Sequence, residues 1–136
     1  MARRAVVIGG SMGGLFAAAF LQRIGWEAHV YERTGDDLAS RGAGLGTHDA
    51  LLEGLRELGI DTGERLGVLV RDRICLDRAG NVIARATLPQ VMTHWARIYE
   101  ALRPLAHHFH AGHNFTGWQQ AGAGGHRICC VPLRSR

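Results

Sequence analysis

The glycine-rich run Gly9-Gly10-Ser11-Met12-Gly13-Gly14 and the acid Glu32 are the residues whose types and spacing best suit a binding chemistry. A turn without side chains, set between a strand and a helix, lets a pyrophosphate approach backbone N–H groups at the positive end of the helix. The pattern follows G-x-G-x-x-G, with Gly9 and Gly14 outermost and Ser11 in place of the middle glycine. A seryl Cβ restricts that approach, although Gly10 and Gly13 flank it and its hydroxyl adds a donor. Seventeen residues separate Gly14 from Glu32. That spacing sets the carboxylate beside an adenosine ribose, where it accepts both hydroxyl hydrogens. The plain alternative is a tight turn and a solvated strand end.

The surrounding pattern predicts the elements that would hold these residues. Ala5-Val6-Val7-Ile8 is apolar without alternation and suits a strand buried on both faces. Leu15 to Ile24 is apolar almost all round, reads as a buried helix, and meets a natural stop at Gly25. Ala28 to Glu32 reads as a second strand, which completes a βαβ unit. NAD and FAD both present an adenosine diphosphate, so the turn and the acid do not choose between them.

Further on, Arg33 leads through a polar loop to Arg41-Gly42-Ala43-Gly44-Leu45-Gly46. A helix is then expected, capped by Thr47 and carrying an apolar stripe of Leu51, Leu52, Leu55 and Leu58 up to Gly59. With "VIGGSMGGL", "VYER", "RGAGL" and "LLEGLRELGI" in this order, the chain resembles the class A flavoprotein aromatic hydroxylases, of the dihydroxypyridine hydroxylase type, over about residues 3 to 118. The resemblance implies that Gly9, Gly10, Ser11, Met12, Gly13, Gly14 and Glu32 hold the adenosine diphosphate part of FAD. It implies that Arg33 and Arg41 lie along the cofactor, Arg41 nearest the pyrophosphate or flavin; a loop arginine in water is the alternative for Arg41. NAD(P)H would be the electron donor and a small aromatic ring the substrate. The cofactor carries the hard step, so no nucleophile or metal need appear, and no catalytic residue is assigned.

Residues 68–88 read as a hairpin turning around Arg78 to Asn81, which in the resembled family starts the sheet over the substrate pocket. Cys75 on it reads as an ordinary packed residue. Thr93 is expected to cap a helix with Trp95, Ile98, Tyr99 and Leu102 on one face, ended by Pro104. By resemblance this helix passes the flavin's ribityl chain. Trp95 takes the place where the family often carries an arginine, so it is either a flavin contact or core.

His107, His108, His110 and His113 crowd one segment. His108 and His110 can share a strand face and hold a metal, but no carboxylate or cysteine is near them in sequence, and the reading is a polar strand without metal. Three cysteines, no signal peptide and no membrane-length apolar run point to the reducing cytoplasm. There is no lysine, all 12 acidic residues lie at or before Glu100, and the net charge is +4. The basic residues are sparse and lack an aromatic ladder, which argues against nucleic acid.

The expected fold is α/β: a Rossmann-like FAD/NAD(P)-binding βαβ unit with an added β-hairpin and helix, in an incomplete doubly wound sheet. Residues 1–120 form the N-terminal part of an FAD-binding domain, and 121–136 an irregular tail whose composition suits frameshifted or truncated reading of a longer gene. The family's later Asp-Gly and Gly-Asp segments have no counterpart here. The function expected is the FAD-binding portion of an aromatic-ring monooxygenase, inactive alone, with exposed apolar surface open to self-association. The alternative is a non-enzymatic NAD/ADP-binding module.

Overall fold

The computed structural model describes residues 3–35, 38, 42–121 and 125–132, with backbone alone from 119 onward. In chain order the elements are β1 (Arg4–Ile8), α1 (Met12–Arg23), β2 (Glu27–Tyr31), β3 (Gly44–Gly46), α2 (Asp49–Glu57), β4 (Gly67–Leu76), β5 (Val82–His94), α3 (Trp95–Leu102), a 3-10 turn (Arg103–Leu105), β6 (His108–His110), β7 (His113–Ala121) and β8 (Gly125–Pro132). The chain is thus α/β, with one parallel and two antiparallel sheets.

β1 and β2 pair in parallel from Arg4↔Glu27 to Ile8↔Tyr31, with α1 as the connection between them. β6 adds in parallel to the other side of β2, giving the order β1-β2-β6. The long β4–β5 hairpin turns at Gly80, whose φ of +88 places it in the left-handed region, and β3 joins the free side of β5. β7 and β8 make a third, two-stranded sheet.

The core lies where α1 meets β2 and where α2 and α3 close over α1. Leu15 and Ala18 of α1, Val30 of β2, Leu55 of α2 and Ile98 and Leu102 of α3 are fully buried there. Both expected apolar stripes therefore point inward. Among the described residues no helix is long and apolar enough to cross a membrane.

The structure corrects several expectations. Both helix caps fall one residue later than the threonines. Thr47 and Thr93 are 3% and 7% exposed, and their hydroxyls donate to Val91 O and Leu66 O, tying sheet to loop. The caps are instead His48 and His94, whose Nδ1 atoms accept from Leu51 N and Ala96 N. β1 is covered on one face only, since Val6 and Ile8 are 41% and 44% exposed. Cys75 is exposed, because the β4–β5 hairpin leaves the core and most of its side chains meet solvent. Within the tail, the described segment Gly125–Pro132 is a strand that pairs antiparallel with β7, supplied with β-branched Ile128 and Val131 in a register that runs to His113↔Pro132.

Candidate functional site

β1 ends at Ile8, and Gly9 turns the chain with a φ of +100 while its N–H still reaches Tyr31 O at 2.8 Å. Ser11 follows in extended conformation as N-cap of α1, and its hydroxyl makes no capping bond. The first helical bond runs from Leu15 N to Ser11 O, so the N–H groups of Met12, Gly13 and Gly14 precede it at the open end of the helix.

The glycines of this turn differ in purpose. A Cβ on Gly14 would strike the carbonyl of Gly9, so the first helical turn packs directly on the backbone of the strand end. A Cβ on Gly10 would lie 2.5 Å from the Phe109 ring and 3.0 Å from the Cβ of Glu32. Gly13 has open space around its Cβ position. The Met12 side chain packs partly buried against the core, which leaves only its backbone facing the turn.

Glu32 is 8% exposed, and its carboxylate is held from two sides. Oε2 accepts from Gly10 N at 2.7 Å and Oε1 from Thr34 N at 2.8 Å. Burial alone would raise this carboxyl. The N–H bonds from Thr34 and Gly10, with the Thr34 side chain and the Arg33 charge, outweigh burial and hold it below the usual carboxylate range. A carboxylate offers about four lone-pair sites, so acceptor capacity remains after two bonds.

Two clefts flank the turn. One, of about 200 Å³, is lined by Gly9, Glu32, Arg33, His113, Asn114 and Phe115 among others. The second, of about 290 Å³, is lined by Ser11, Leu38, Gly42, Ala43, Leu45 and Trp95. Trp95 donates its indole N–H to Leu38 O at 2.9 Å and lies against Gly42, where no Cβ would fit. The side chain is therefore both a packing residue and a wall of the cleft. Arg33 is exposed at the first cleft, and Arg41 lies outside the described residues.

The structure thus brings Gly9 to Gly14, Glu32 and Arg33 together, with Trp95 across the turn. Sequence reasoning missed Thr34, whose N–H bonds Glu32 two residues away, and Phe109 and the start of β7, whose parts depend on β6 and β7 lying beside β2. It also missed a cluster on the far face of the sheet, where Glu27 and His29 stand against His108 and His110. The Glu-x-His spacing on β2 was the available signal.

No family model and no curated protein matches the sequence. Solved structures do. The 2,6-dihydroxypyridine-3-hydroxylase of Arthrobacter nicotinovorans superposes with a TM-score of 0.78 at 24% identity, over 94% of this chain and 35% of that one. The fold is shared with part of the FAD-dependent hydroxylases. HpxO of Klebsiella pneumoniae, solved with FAD and uric acid, gives a TM-score of 0.72 at 19% identity, over 93% of this chain and 37% of that one. The tetrameric form of 2-methyl-3-hydroxypyridine-5-carboxylic acid oxygenase gives 0.73 at 22% identity, again over 93% and 37%. The chain therefore spans little more than a third of the length of these proteins.

Proposed function

We propose that this chain is the FAD-binding portion of a monooxygenase that hydroxylates an aromatic or N-heteroaromatic ring with NAD(P)H and oxygen, and that it is inactive alone. The observation that carries the reading is the Glu32 carboxylate, bonded to Gly10 of the turn and bordering the smaller cleft. Its spare acceptor sites suit the two ribose hydroxyls of an adenosine. The pyrophosphate would meet the N–H groups of Met12, Gly13 and Gly14, which are free of helical partners, and the uncommitted Ser11 hydroxyl. The cleft walled by Gly42, Ala43, Leu45 and Trp95 then suits the ribityl and flavin side. In this reading β1, α1 and β2 form a Rossmann-like unit.

When bound, FAD supplies the redox chemistry. The chain's own residues bind and orient it. Glu32 fixes the adenosine end, the α1 terminus neutralises the pyrophosphate, and Trp95 excludes water on the flavin side. The ring class follows the similar structures, two of which are named for hydroxypyridine substrates while a third holds uric acid.

Calorimetry with ADP and with FAD tests this. Glu32→Ala should weaken both by about 1–3 kcal/mol, since the ribose hydroxyls lose a charged acceptor. Equal affinities for wild type and variant would remove Glu32 from the site. FAD should also bind more tightly than ADP. No preference would favour a module for NAD or ADP over a flavin site. Substrate-coupled NAD(P)H oxidation by the pure chain would overturn the claim of inactivity.

A further inference from the structure

The face of the parallel sheet turned away from α1 carries a histidine–carboxylate cluster at the end of β2 opposite to Glu32. Successive strand residues alternate between faces. Ala28 and Val30 point into the core, so Glu27 and His29 point away from it. The parallel register sets His108 beside His29 and His110 beside Tyr31, on that same outer face. The rings of His29 and His108 stack with centroids 4.5 Å apart. His29 Nε2 lies 2.8 Å from Glu27 Oε1, and its Nδ1 lies 3.1 Å from His110 Nε2. Ligand atoms of Glu27, His29 and His108 all fall within 4.8 Å of one another.

The geometry points to a divalent transition-metal site in which the Glu27 carboxylate, His29 Nε2 and a His108 ring nitrogen are ligands, reached when the exposed His108 ring turns out of its stack on His29, and in which His110 positions His29. Two imidazoles and a carboxylate suit Zn²⁺, Ni²⁺, Co²⁺ or Cu²⁺ rather than Ca²⁺ or Mg²⁺, with water completing the coordination. A ligating histidine usually donates its other N–H to a fixed acceptor, which orients the ring. His110 Nε2 stands where it can accept from His29 Nδ1–H, which leaves the Nε2 lone pair of His29 directed at Glu27. In the metal-free chain Nε2 and Oε1 lie 2.8 Å apart, a contact that the metal would replace. Arg4, opposite Glu27 in register, is the charge that competes with the cation. The site would tie β2 to β6 across the sheet they share, independently of any dinucleotide.

The test uses the full chain. Calorimetric titration with ZnCl₂ in a non-chelating buffer should give one equivalent bound. Glu27→Gln and His108→Ala should each weaken binding more than tenfold. His110→Ala should weaken it about 10–100-fold through loss of orientation. His107→Ala, a neighbour outside the cluster, should leave affinity unchanged. The Cu²⁺-loaded wild type should show two nitrogen ligands in its electron paramagnetic resonance spectrum. Failure to bind Zn²⁺, an equal loss in His107→Ala and His108→Ala, or a different nitrogen count would each overturn the site. Circular dichroism of every variant separates a lost ligand from a lost fold.

Discussion

The two faces of the β1-β2-β6 sheet are built from the same three strands yet differ in nearly every respect. On the face that meets α1, Ala28 and Val30 are fully buried against Leu15 and Ala18. On the opposite face Val6 and Ile8 are half-open to solvent beside Glu27, His29, Tyr31, His108 and His110. The first face is covered by the helix that immediately follows β1 in the chain, so its packing is local and its residues are small or β-branched. The second depends on elements placed by long-range pairing, and ionisable groups crowd it. Stability should therefore concentrate on one face and ion binding on the other.

The largest expected effect breaks this contrast directly. Leu15→Ala leaves a cavity in the α1 face and should cost about 2–5 kcal/mol, enough to unfold a marginal domain. Ile8→Thr, on the outer face and still β-branched, should change stability by no more than about 0.5 kcal/mol. Urea denaturation of both variants measures the difference. Similar losses would mean that the outer face is packed as tightly as the inner one. If copies of the chain associate through the outer face, Ile8→Thr should also lower the mass seen in sedimentation.

A second pair sharpens the picture at the junction of the faces, in the glycine turn. Gly14→Ala drives a Cβ into the Gly9 carbonyl, where only backbone can give way, and should cost about 1–3 kcal/mol through overpacking. Gly13→Ala enters open space in a helical turn and should stabilise the chain by about 0.4–1 kcal/mol. The same methyl should weaken ADP, since it narrows the approach to the helix terminus. Thermal denaturation with and without ADP separates the two effects. A destabilised Gly13→Ala would show that the turn is tighter than the structure has it.

How much of this was legible follows from the range of each signal. The turn, α1 and the strand-end acid are written within the 24 consecutive residues from Gly9 to Glu32, and periodicity with turn chemistry was enough to place them. The apolar stripes of α2 and α3 were equally readable. The caps were not, because Thr47 and Thr93 satisfy every local rule for capping. Tertiary bonds to Val91 and Leu66 claim their hydroxyls, and histidine takes the cap by default. The Glu27–His29–His108 cluster was legible only in its Glu27-x-His29 half, for a related reason. Its parts lie 2 and 79 residues apart, and only the register between β2 and β6 brings them together. The strand over Gly125–Pro132 lacked clean alternation, and its partner β7 is what organises it. Local chemistry was readable, and non-local pairing was not.

The smallest expected effect concerns Glu32, where the two faces meet. Its backbone N–H donates to His110 O and its carbonyl accepts from His113 N, while its side chain holds Gly10 and Thr34. One residue therefore links the glycine turn, the loop after β2 and the strands β6 and β7. The folded carboxyl lies below its ordinary value of 4.5, because the N–H donors overcome the cost of burial. A depressed folded pKa means that the unfolded chain binds the proton more readily. The stabilisation is therefore fully present above about pH 4.5 and is lost as the pH falls through the folded value. Glu32→Gln removes the titration and also turns an amide NH₂ toward one of the two N–H donors, leaving that donor unpaired. The variant should be less stable than wild type at pH 7, and the gap should close as the pH falls below 4.5, where the wild-type carboxyl takes up its proton. Denaturation midpoints between pH 3 and pH 7 would show this convergence. Two parallel curves would mean that the carboxylate held between Gly10 and Thr34 contributes no charge-dependent stability.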